Sequence, residues 1–200
     1  MGWRSVATTL LAASILGTAP GAYADDAARF ERELTSGTTA IGTDFTLTDP
    51  KGRKRSLADF KGKVVVLYFG YTFCPDVCPM DLQQVARAMK LLGKRAKDVQ
   101  PVFITLDPAR DTAKLMGRYA RAFDRRIVAL RGSEAETQRI ARAFRIYYKR
   151  TAPAGTGNYT LDHSAYTLLI GRDGKYAGYI PPGTPAGRMA VMIEELLDGP

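Results

Sequence analysis

Two cysteines, Cys74 and Cys78, are the only thiols of this 200-residue chain, and both lie in the stretch C-P-D-V-C-P. A cysteine pair at this spacing can form a structural disulfide, act as a redox dithiol or bind a metal ion. In the chain-entropy model, a disulfide stabilises a protein more when it closes a longer loop. A bond between these neighbours closes a very short loop, so a purely structural disulfide is disfavoured. Redox and metal chemistry both remain open.

The prolines that follow the two cysteines indicate the local conformation. Pro79 has no N–H and disfavours the α conformation for Cys78, but proline is well suited to the first position of a helix. We therefore expect a helix that begins at Pro79, with Cys78 at its entrance and Cys74 on the loop before it. Because a helix N-terminus carries partial positive charge, both thiols are expected to ionise readily and to be good nucleophiles or metal ligands.

His163 is the only histidine, and it follows a long polar segment in L-D-H-S-A. A lone histidine often has a structural or surface role. If this segment folds over the cysteine loop, however, two sulfurs and one imidazole converge. Three such donors without a fourth suit copper better than structural zinc, which favours four protein ligands. Asp162 is a candidate partner that orients the imidazole, although neighbours in sequence often point apart.

The elements that must position these residues alternate along the chain. A continuous apolar, β-branched run at 63–69 is typical of a strand buried on both faces, and the cysteines follow it directly. Ser133 and Glu136 form a capping-box pattern before a helix. Strands are predicted at residues 44–48, 63–69, 102–106, 127–130, 165–170 and 176–180, helices at 80–97, 111–123, 133–144 and 184–197, and a long loop at 150–162. This order predicts an α/β sandwich with a mixed central sheet and an added N-terminal hairpin. The cysteine loop then lies at the carboxyl end of a parallel strand, where functional loops gather.

The first residues are typical of a targeting segment. A short positive start is followed by an apolar run at 5–16 and by Ala22-Tyr23-Ala24, which fits a secretory cleavage pattern. We interpret residues 1–24 as a signal peptide cleaved after Ala24, residues 25–43 as a flexible lead-in and residues 44–200 as one domain. The predicted location is the periplasm. An uncleaved N-terminal membrane anchor that leaves the domain facing the periplasm is the alternative.

The charge of the chain limits the classes of partner that we expect. The formal net charge is +9, and no nucleic-acid-binding motif accompanies the scattered lysines and arginines, so no nucleic acid partner is expected. The basic residues either form a solubilising surface or attract an acidic protein or anionic lipid headgroups in a peripheral membrane contact.

Three motifs together resemble the Sco/SenC family of copper-handling proteins. They are F-G-Y-T-F-C-P-D-V-C-P at 69–79, L-D-P-A-R-D-T at 106–112 and D-H-S-A-Y at 162–166. The resemblance implies a thioredoxin-like fold of the peroxiredoxin-like variant, with one copper ion, Cu(I) or Cu(II), bound by Cys74, Cys78 and His163. It also implies assistance in assembling the dinuclear copper centre of cytochrome c oxidase. Asp107, Arg110 and Asp111 match the second motif and are interpreted first as a structural loop, and only second as part of the site.

The leading hypothesis is therefore a copper metallochaperone, not a turnover enzyme. Its expected partners are the apo copper-site subunit of cytochrome c oxidase or another cuproprotein, a copper donor protein, and a periplasmic thiol reductant that keeps the cysteines able to bind. The alternative is a periplasmic thiol-disulfide oxidoreductase in which Cys74 and Cys78 are the redox-active pair. A sensor is less favoured because no signalling domain is evident. A peroxidase is less favoured because Tyr71 stands where peroxiredoxins place threonine.

Overall fold

The structure, a computed structural model, describes Arg32, Leu34, residues 40–151 and residues 159–199. The predicted signal peptide at 1–24 and most of the predicted lead-in at 25–43 lie outside these residues. Within the described ranges, every helix is too short or too polar to cross a lipid bilayer.

A five-stranded mixed sheet forms the centre of the domain. Its strands are β3 (Val64–Gly70), β4 (Val99–Thr105), β5 (Val128–Leu130), β8 (Thr167–Ile170) and β9 (Tyr176–Ile180). They lie side by side in the order β5-β4-β3-β8-β9. β3, β4 and β5 are parallel, whereas β8 and β9 are antiparallel to their neighbours. All seven residues of β3 are buried, which confirms the strand predicted from the apolar run.

Within residues 40–151 and 159–199, four helices cover the two faces of this sheet: α1 (Val77–Leu91), α2 (Ala113–Phe123), α3 (Glu134–Ala143) and α4 (Ala186–Asp198). α1 and α4 pack against Val64 and Val66 on one face. α2 lies on the same face, because its Tyr119 contacts Phe103, which pairs with Tyr68 of β3. Phe144, just after α3, packs against Phe69 on the opposite face. The predicted α/β sandwich is confirmed.

Two short hairpins lie outside the central sheet. β1 (Thr46–Thr48) and β2 (Lys54–Ser56) form the predicted N-terminal hairpin, and Asp49 accepts backbone N–H bonds within its turn. The second hairpin pairs β6 (Tyr148–Thr151) with β7 (Thr160–His163). The prediction of a loop throughout residues 150–162 was therefore wrong at both of its ends. Its polar composition concealed two short strands that pair with each other and that place Tyr148 and Leu161 against the core.

The helix after the cysteines also departs from the prediction at both ends. α1 begins at Val77, so Cys78 and Pro79 lie within its first turn. Proline is tolerated there because the first N–H groups of a helix have no intrahelical acceptor. α1 ends at Leu91, not at residue 97, because Gly93 adopts a left-handed conformation (φ 53°) and a 3₁₀ helix, Gly93–Asp98, follows. In α3, the capping box of Ser133 and Glu136 is present as predicted.

Candidate metal centre

The sheet topology brings the cysteine loop and the histidine segment to the same end of the domain. The cysteine loop leaves the carboxyl end of β3 and leads into α1. His163 ends β7, and three residues separate it from β8. Thr167 at the start of β8 pairs with Tyr68 near the end of β3. Antiparallel pairing of β3 and β8 therefore places His163 beside the two cysteines, although it lies far from them in sequence.

Cys74, Cys78 and His163 together offer three metal-ligand atoms that all lie within 4.8 Å of one another. The Nε2 atom of His163 is 3.2 Å from the Sγ atom of Cys78. Cys78 is fully buried, whereas Cys74 is half-buried and borders the solvent. No carboxylate joins this cluster among the residues that the structure describes. The predicted three-residue set converges, and its open side faces outward through Cys74.

The imidazole of His163 is oriented by the main chain. Its Nδ1 atom lies 2.9 Å from the carbonyl oxygen of Ser164, which can only accept, so Nδ1 carries the proton and donates. The lone pair of Nε2 is then directed at the sulfurs, as metal binding requires. The prediction that Asp162 orients the ring was wrong. Asp162 accepts a hydrogen bond from the hydroxyl of Thr151, because successive side chains of a strand point to opposite sides.

The two cysteines differ in their protonation. A hydrogen bond from the Cys78 side chain lowers the pKa of Cys74 to about 4, and bonds from the N–H groups of Asp76 and Cys78 act in the same direction. The N–H of Cys78 in the first turn of α1 lies 3.4 Å from the Cys74 sulfur. The same cysteine–cysteine hydrogen bond, together with burial, raises the pKa of Cys78. The expectation that both thiols ionise readily therefore holds for Cys74 and was wrong for Cys78.

Gly70 makes room for the buried sulfur. A Cβ atom at this position would lie 2.9 Å from the Sγ atom of Cys78 and 3.0 Å from a ring carbon of Tyr68. Sequence reasoning passed over this glycine, although a glycine inside a strand pattern often marks the close approach of another group. The Tyr68 hydroxyl donates to the buried carboxyl of Asp81 at 3.3 Å, which ties β3 to α1 beside Cys78.

Asp111 of the second motif anchors the cysteine loop through hydrogen bonds. Its buried carboxyl group accepts hydrogen bonds from the hydroxyl of Thr72 at 2.5 Å, from the hydroxyl of Thr105 at 2.6 Å and from the N–H of Thr72 at 3.1 Å. Burial raises the pKa of Asp111, although these bonds oppose the shift. The hydrogen-bond partners of the Asp111 carboxyl group are Thr72 and Thr105, so its first interpretation, as part of a structural loop, fits its position.

Arg110 and Asp107 connect the same motif to the segment that carries His163. Arg110 pairs with the buried Asp107 and donates to the carbonyl oxygen of Tyr159 at 2.8 Å. Its guanidinium group lies 3.5 Å from the centre of the Tyr159 ring and 5.0 Å from that of Phe73. The Tyr159 hydroxyl donates to Asp107 at 2.7 Å. Arg110 thus contacts both Phe73 of the cysteine loop and Tyr159 of the chain entering β7, and links the two segments.

Tyr71 forms a second connection between these segments. The N–H of Leu161 donates to the buried hydroxyl of Tyr71 at 3.1 Å. Sequence reasoning missed both Tyr71 and Tyr159 as site residues. Tyr71 lies inside the first motif and gave a signal only through its position beside the cysteines, whereas Tyr159 gave none because it lies in the polar segment predicted as a loop.

The surface around Cys74 is apolar and open. Phe73 and Met80 are among the few large hydrophobic side chains with more than half of their surface exposed, at 52% and 53%. Between the cysteine loop and β7 lies a shallow depression of about 410 Å³, lined in part by Tyr71, Cys74 and His163. A second protein could therefore approach the sulfur of Cys74 directly.

Comparison with known proteins gives a family match over most of the chain. Residues 33–198 match the family model described as SCO1/SenC. "Protein SCO2 homolog, mitochondrial" of Bos taurus is 40% identical over 143 residues, which cover 70% of this chain and 54% of the relative. "Protein SCO1 homolog, mitochondrial" of Homo sapiens is 30% identical over 198 residues, which cover 96% of this chain and 66% of the relative. The chain thus spans between half and two thirds of the length of these curated relatives.

Solved structures resemble the domain closely. Bradyrhizobium japonicum ScoI with copper bound is 36% identical with a TM-score of 0.73, covering 78% of this chain and 99% of that one. Arabidopsis thaliana ScoI with copper bound is 31% identical with a TM-score of 0.74, covering 80% of this chain and 100% of that one. These likenesses confirm the predicted thioredoxin-like fold.

Proposed function

This chain belongs to the SCO1/SenC family, and we propose that it is a copper metallochaperone that holds one copper ion on Cys74, Cys78 and His163. The observation that carries the proposal is the convergence of two sulfurs and an oriented imidazole within 4.8 Å. Thiolate and imidazole donors suit copper, and a three-donor set leaves out the fourth protein ligand that structural zinc sites prefer. The copper-bound ScoI structures of two relatives support the same assignment.

The asymmetry of the two thiols suits the uptake and release of a cargo ion. Cys74 is already a thiolate near neutral pH and borders the solvent, so it is the first ligand that an incoming ion meets and the last that it leaves. Cys78 must lose its proton when the ion settles, because the thiolate is the form that binds metal. A partner that offers its own ligands beside Phe73 and Met80 can take the ion by stepwise exchange through Cys74.

The partners follow from this chemistry and from the family resemblance. The recipient is the apo copper-site subunit of cytochrome c oxidase or another cuproprotein outside the cytoplasm. A disulfide between Cys74 and Cys78 cannot serve as a thiolate pair, so a periplasmic thiol reductant must act before each loading, and a donor protein supplies the copper. These roles require export, in keeping with the secretory pattern of residues 1–24, or an N-terminal anchor that leaves the domain in the periplasm.

An anaerobic titration of the reduced full chain with Cu(I), against a competing chelator, tests the proposal. We expect one tightly held copper ion per chain and weaker binding by Cys78→Ala and His163→Ala. Asp162→Asn is the matched control, because it alters the neighbour of His163 whose side chain points to Thr151. Its affinity should equal that of the wild type. Failure of the wild type to retain copper would refute the proposal.

A thiol-disulfide oxidoreductase is the second candidate, and one observation favours it. A half-buried Cys74 with a pKa of about 4, beside a fully buried Cys78, has the arrangement of an attacking and a resolving thiol. His163→Ala separates the two functions. Copper loss with unchanged reduction of a model disulfide substrate would show that the dithiol works without the metal site. Loss of neither activity would leave His163 without a role in either function.

A further inference from the structure

The end of the sheet opposite the metal centre carries a concentration of positive charge. We call it the basal end: the connections that lead into the amino ends of β3, β4 and β5, together with the turn between β8 and β9. β3 has seven residues, so this end lies about 23 Å from the cysteine loop at roughly 3.3 Å per residue. Besides Arg95, Arg126 and Lys175, which pair with carboxylates, six cations lie there at least partly exposed: Lys61, Lys63, Lys94, Lys97, Arg125 and Arg172.

None of these six cations forms an ion pair with another described residue. Several acidic groups nearby are already engaged, since Asp124 pairs with Arg126, Asp173 with Lys175 and Asp198 with Arg95. At the metal end Asp76 is exposed beside the cysteine loop, Arg110 is paired with Asp107, and Lys114 and Arg118 near the start of α2 are exposed. The basal end is therefore defined by its six cations without an ion pair to a described residue, and not by a difference in sign between the two ends.

The chain also enters the domain at the basal end. Leu34 is buried, and its carbonyl oxygen accepts a hydrogen bond at 3.2 Å from the hydroxyl of Tyr176, the first residue of β9. The apolar run at residues 5–16 precedes Leu34 in sequence. Leu34, one of the first described residues, therefore lies at the basal end.

We propose that the basal end rests on an anionic lipid surface and holds the metal centre on the side away from the bilayer. Exposed cations near anionic headgroups are each attracted by about 1 kcal/mol. Leu91, the last residue of α1, is 63% exposed beside Lys94 and supplies an aliphatic side chain that can enter the interfacial layer. Cations spread over four separate connections around one aliphatic side chain favour a broad lipid surface over an acidic protein, whose interface would require a packed apolar centre.

Vesicle binding of the metal-free, reduced full chain tests this proposal without reference to copper, so its failure would leave the proposed function untouched. Sedimentation with vesicles of phosphatidylcholine alone measures the contribution of the N-terminal apolar run. Vesicles of equal parts phosphatidylcholine and phosphatidylglycerol add the electrostatic contribution. We expect tighter binding to the anionic vesicles, and we expect the excess to fall as salt is raised.

Two quadruple variants with equal net charge identify the surface. The basal variant is Lys61→Gln, Lys94→Gln, Lys97→Gln and Arg125→Gln, and the control variant is Lys51→Gln, Lys54→Gln, Lys114→Gln and Arg139→Gln; all eight side chains are exposed. The excess partitioning should fall about tenfold or more in the basal variant and change little in the control. An equal loss in both variants would show that net charge alone acts, and would overturn the proposal. Absence of any excess in the wild type would also overturn it, and would leave an acidic protein as the occupant.

Discussion

Replacement of Gly70 by alanine tests how tightly the fold defines the position of Cys78. The added methyl group would lie 2.9 Å from the Cys78 sulfur, 3.0 Å from the Tyr68 ring and 3.3 Å from the Phe103 ring. All three neighbours are fully buried, so none can move aside into solvent. Overpacking of this kind costs about 1–3 kcal/mol. Alanine also lowers the conformational entropy of the unfolded chain, which stabilises the folded state by about 0.4–1 kcal/mol. We expect a net destabilisation of roughly 1–2 kcal/mol.

Gly187→Ala in α4 is the matched control for this variant. Nothing lies within 4 Å of a Cβ atom at Gly187, so only the favourable effect on the unfolded chain and on helix propensity applies. Urea unfolding of the reduced, metal-free proteins should therefore show Gly70→Ala less stable than the wild type and Gly187→Ala equally stable or more stable.

Copper binding separates displacement of the sulfur from general destabilisation. The affinity of the folded state for Cu(I) does not depend on the free energy of unfolding while the protein remains folded. A shift of Cys78 should nevertheless weaken Cu(I) binding by about 10–100-fold, as changes beside metal ligands do. Gly187→Ala should bind as the wild type does. Wild-type stability and affinity in Gly70→Ala would refute the inference that this glycine sets the place of Cys78.

Three further results are expected. Arg110→Met leaves the buried carboxylate of Asp107 without its cation and should lower the free energy of unfolding by about 3 kcal/mol in urea titration. This loss is smaller than for a fully buried ion pair because Arg110 is 23% exposed. Unchanged stability would show that the pair is dispensable. Asp111→Ala removes the acceptor of three hydrogen bonds and should cost about 2–4 kcal/mol in the same titration, whereas a loss below about 1 kcal/mol would indicate that water replaces the carboxylate. The rate of alkylation of Cys74 by iodoacetamide should be nearly independent of pH from 8 down to about 5 and should slow as the pH falls through about 4, because the lowered pKa keeps Cys74 a thiolate above that value. Cys78→Ala removes the thiol donor and should shift this profile to higher pH. A wild-type rate that rises steadily up to pH 8 would contradict the lowered pKa of Cys74.

Several features could be predicted from sequence because they depend on near neighbours. The apolar run before the cysteines is continuous enough to require burial on both faces, so the central strand β3 was predicted correctly. Ser133 and Glu136 cap α3 through contacts within one turn. The cysteine spacing and the lone histidine indicated the three candidate ligands, although the convergence of Cys74, Cys78 and His163 was conditional on how the polar segment folds.

Other features were beyond sequence reasoning because they depend on partners that are distant in the chain. β6 and β7 are mostly polar, and they form strands by pairing with each other while Tyr148 and Leu161 pack against the core. Asp162 and His163 point to opposite sides because β7 is extended, which a loop prediction could not anticipate. The unequal protonation of Cys74 and Cys78 follows from which sulfur is buried and which accepts hydrogen bonds.

By itself, the sequence determined the types of the donor atoms, the strand and helix that flank the cysteine loop, and the family to which the chain belongs. The tertiary structure decided how these donors meet, since the contact between Cys78 and His163 joins residues 85 positions apart. It also decided which residues support them, because Arg110, Tyr71 and Gly70 act through neighbours that only the packing of β3, β7 and α1 provides. Local pattern specifies an element, whereas the distance between two elements is set by everything packed between them.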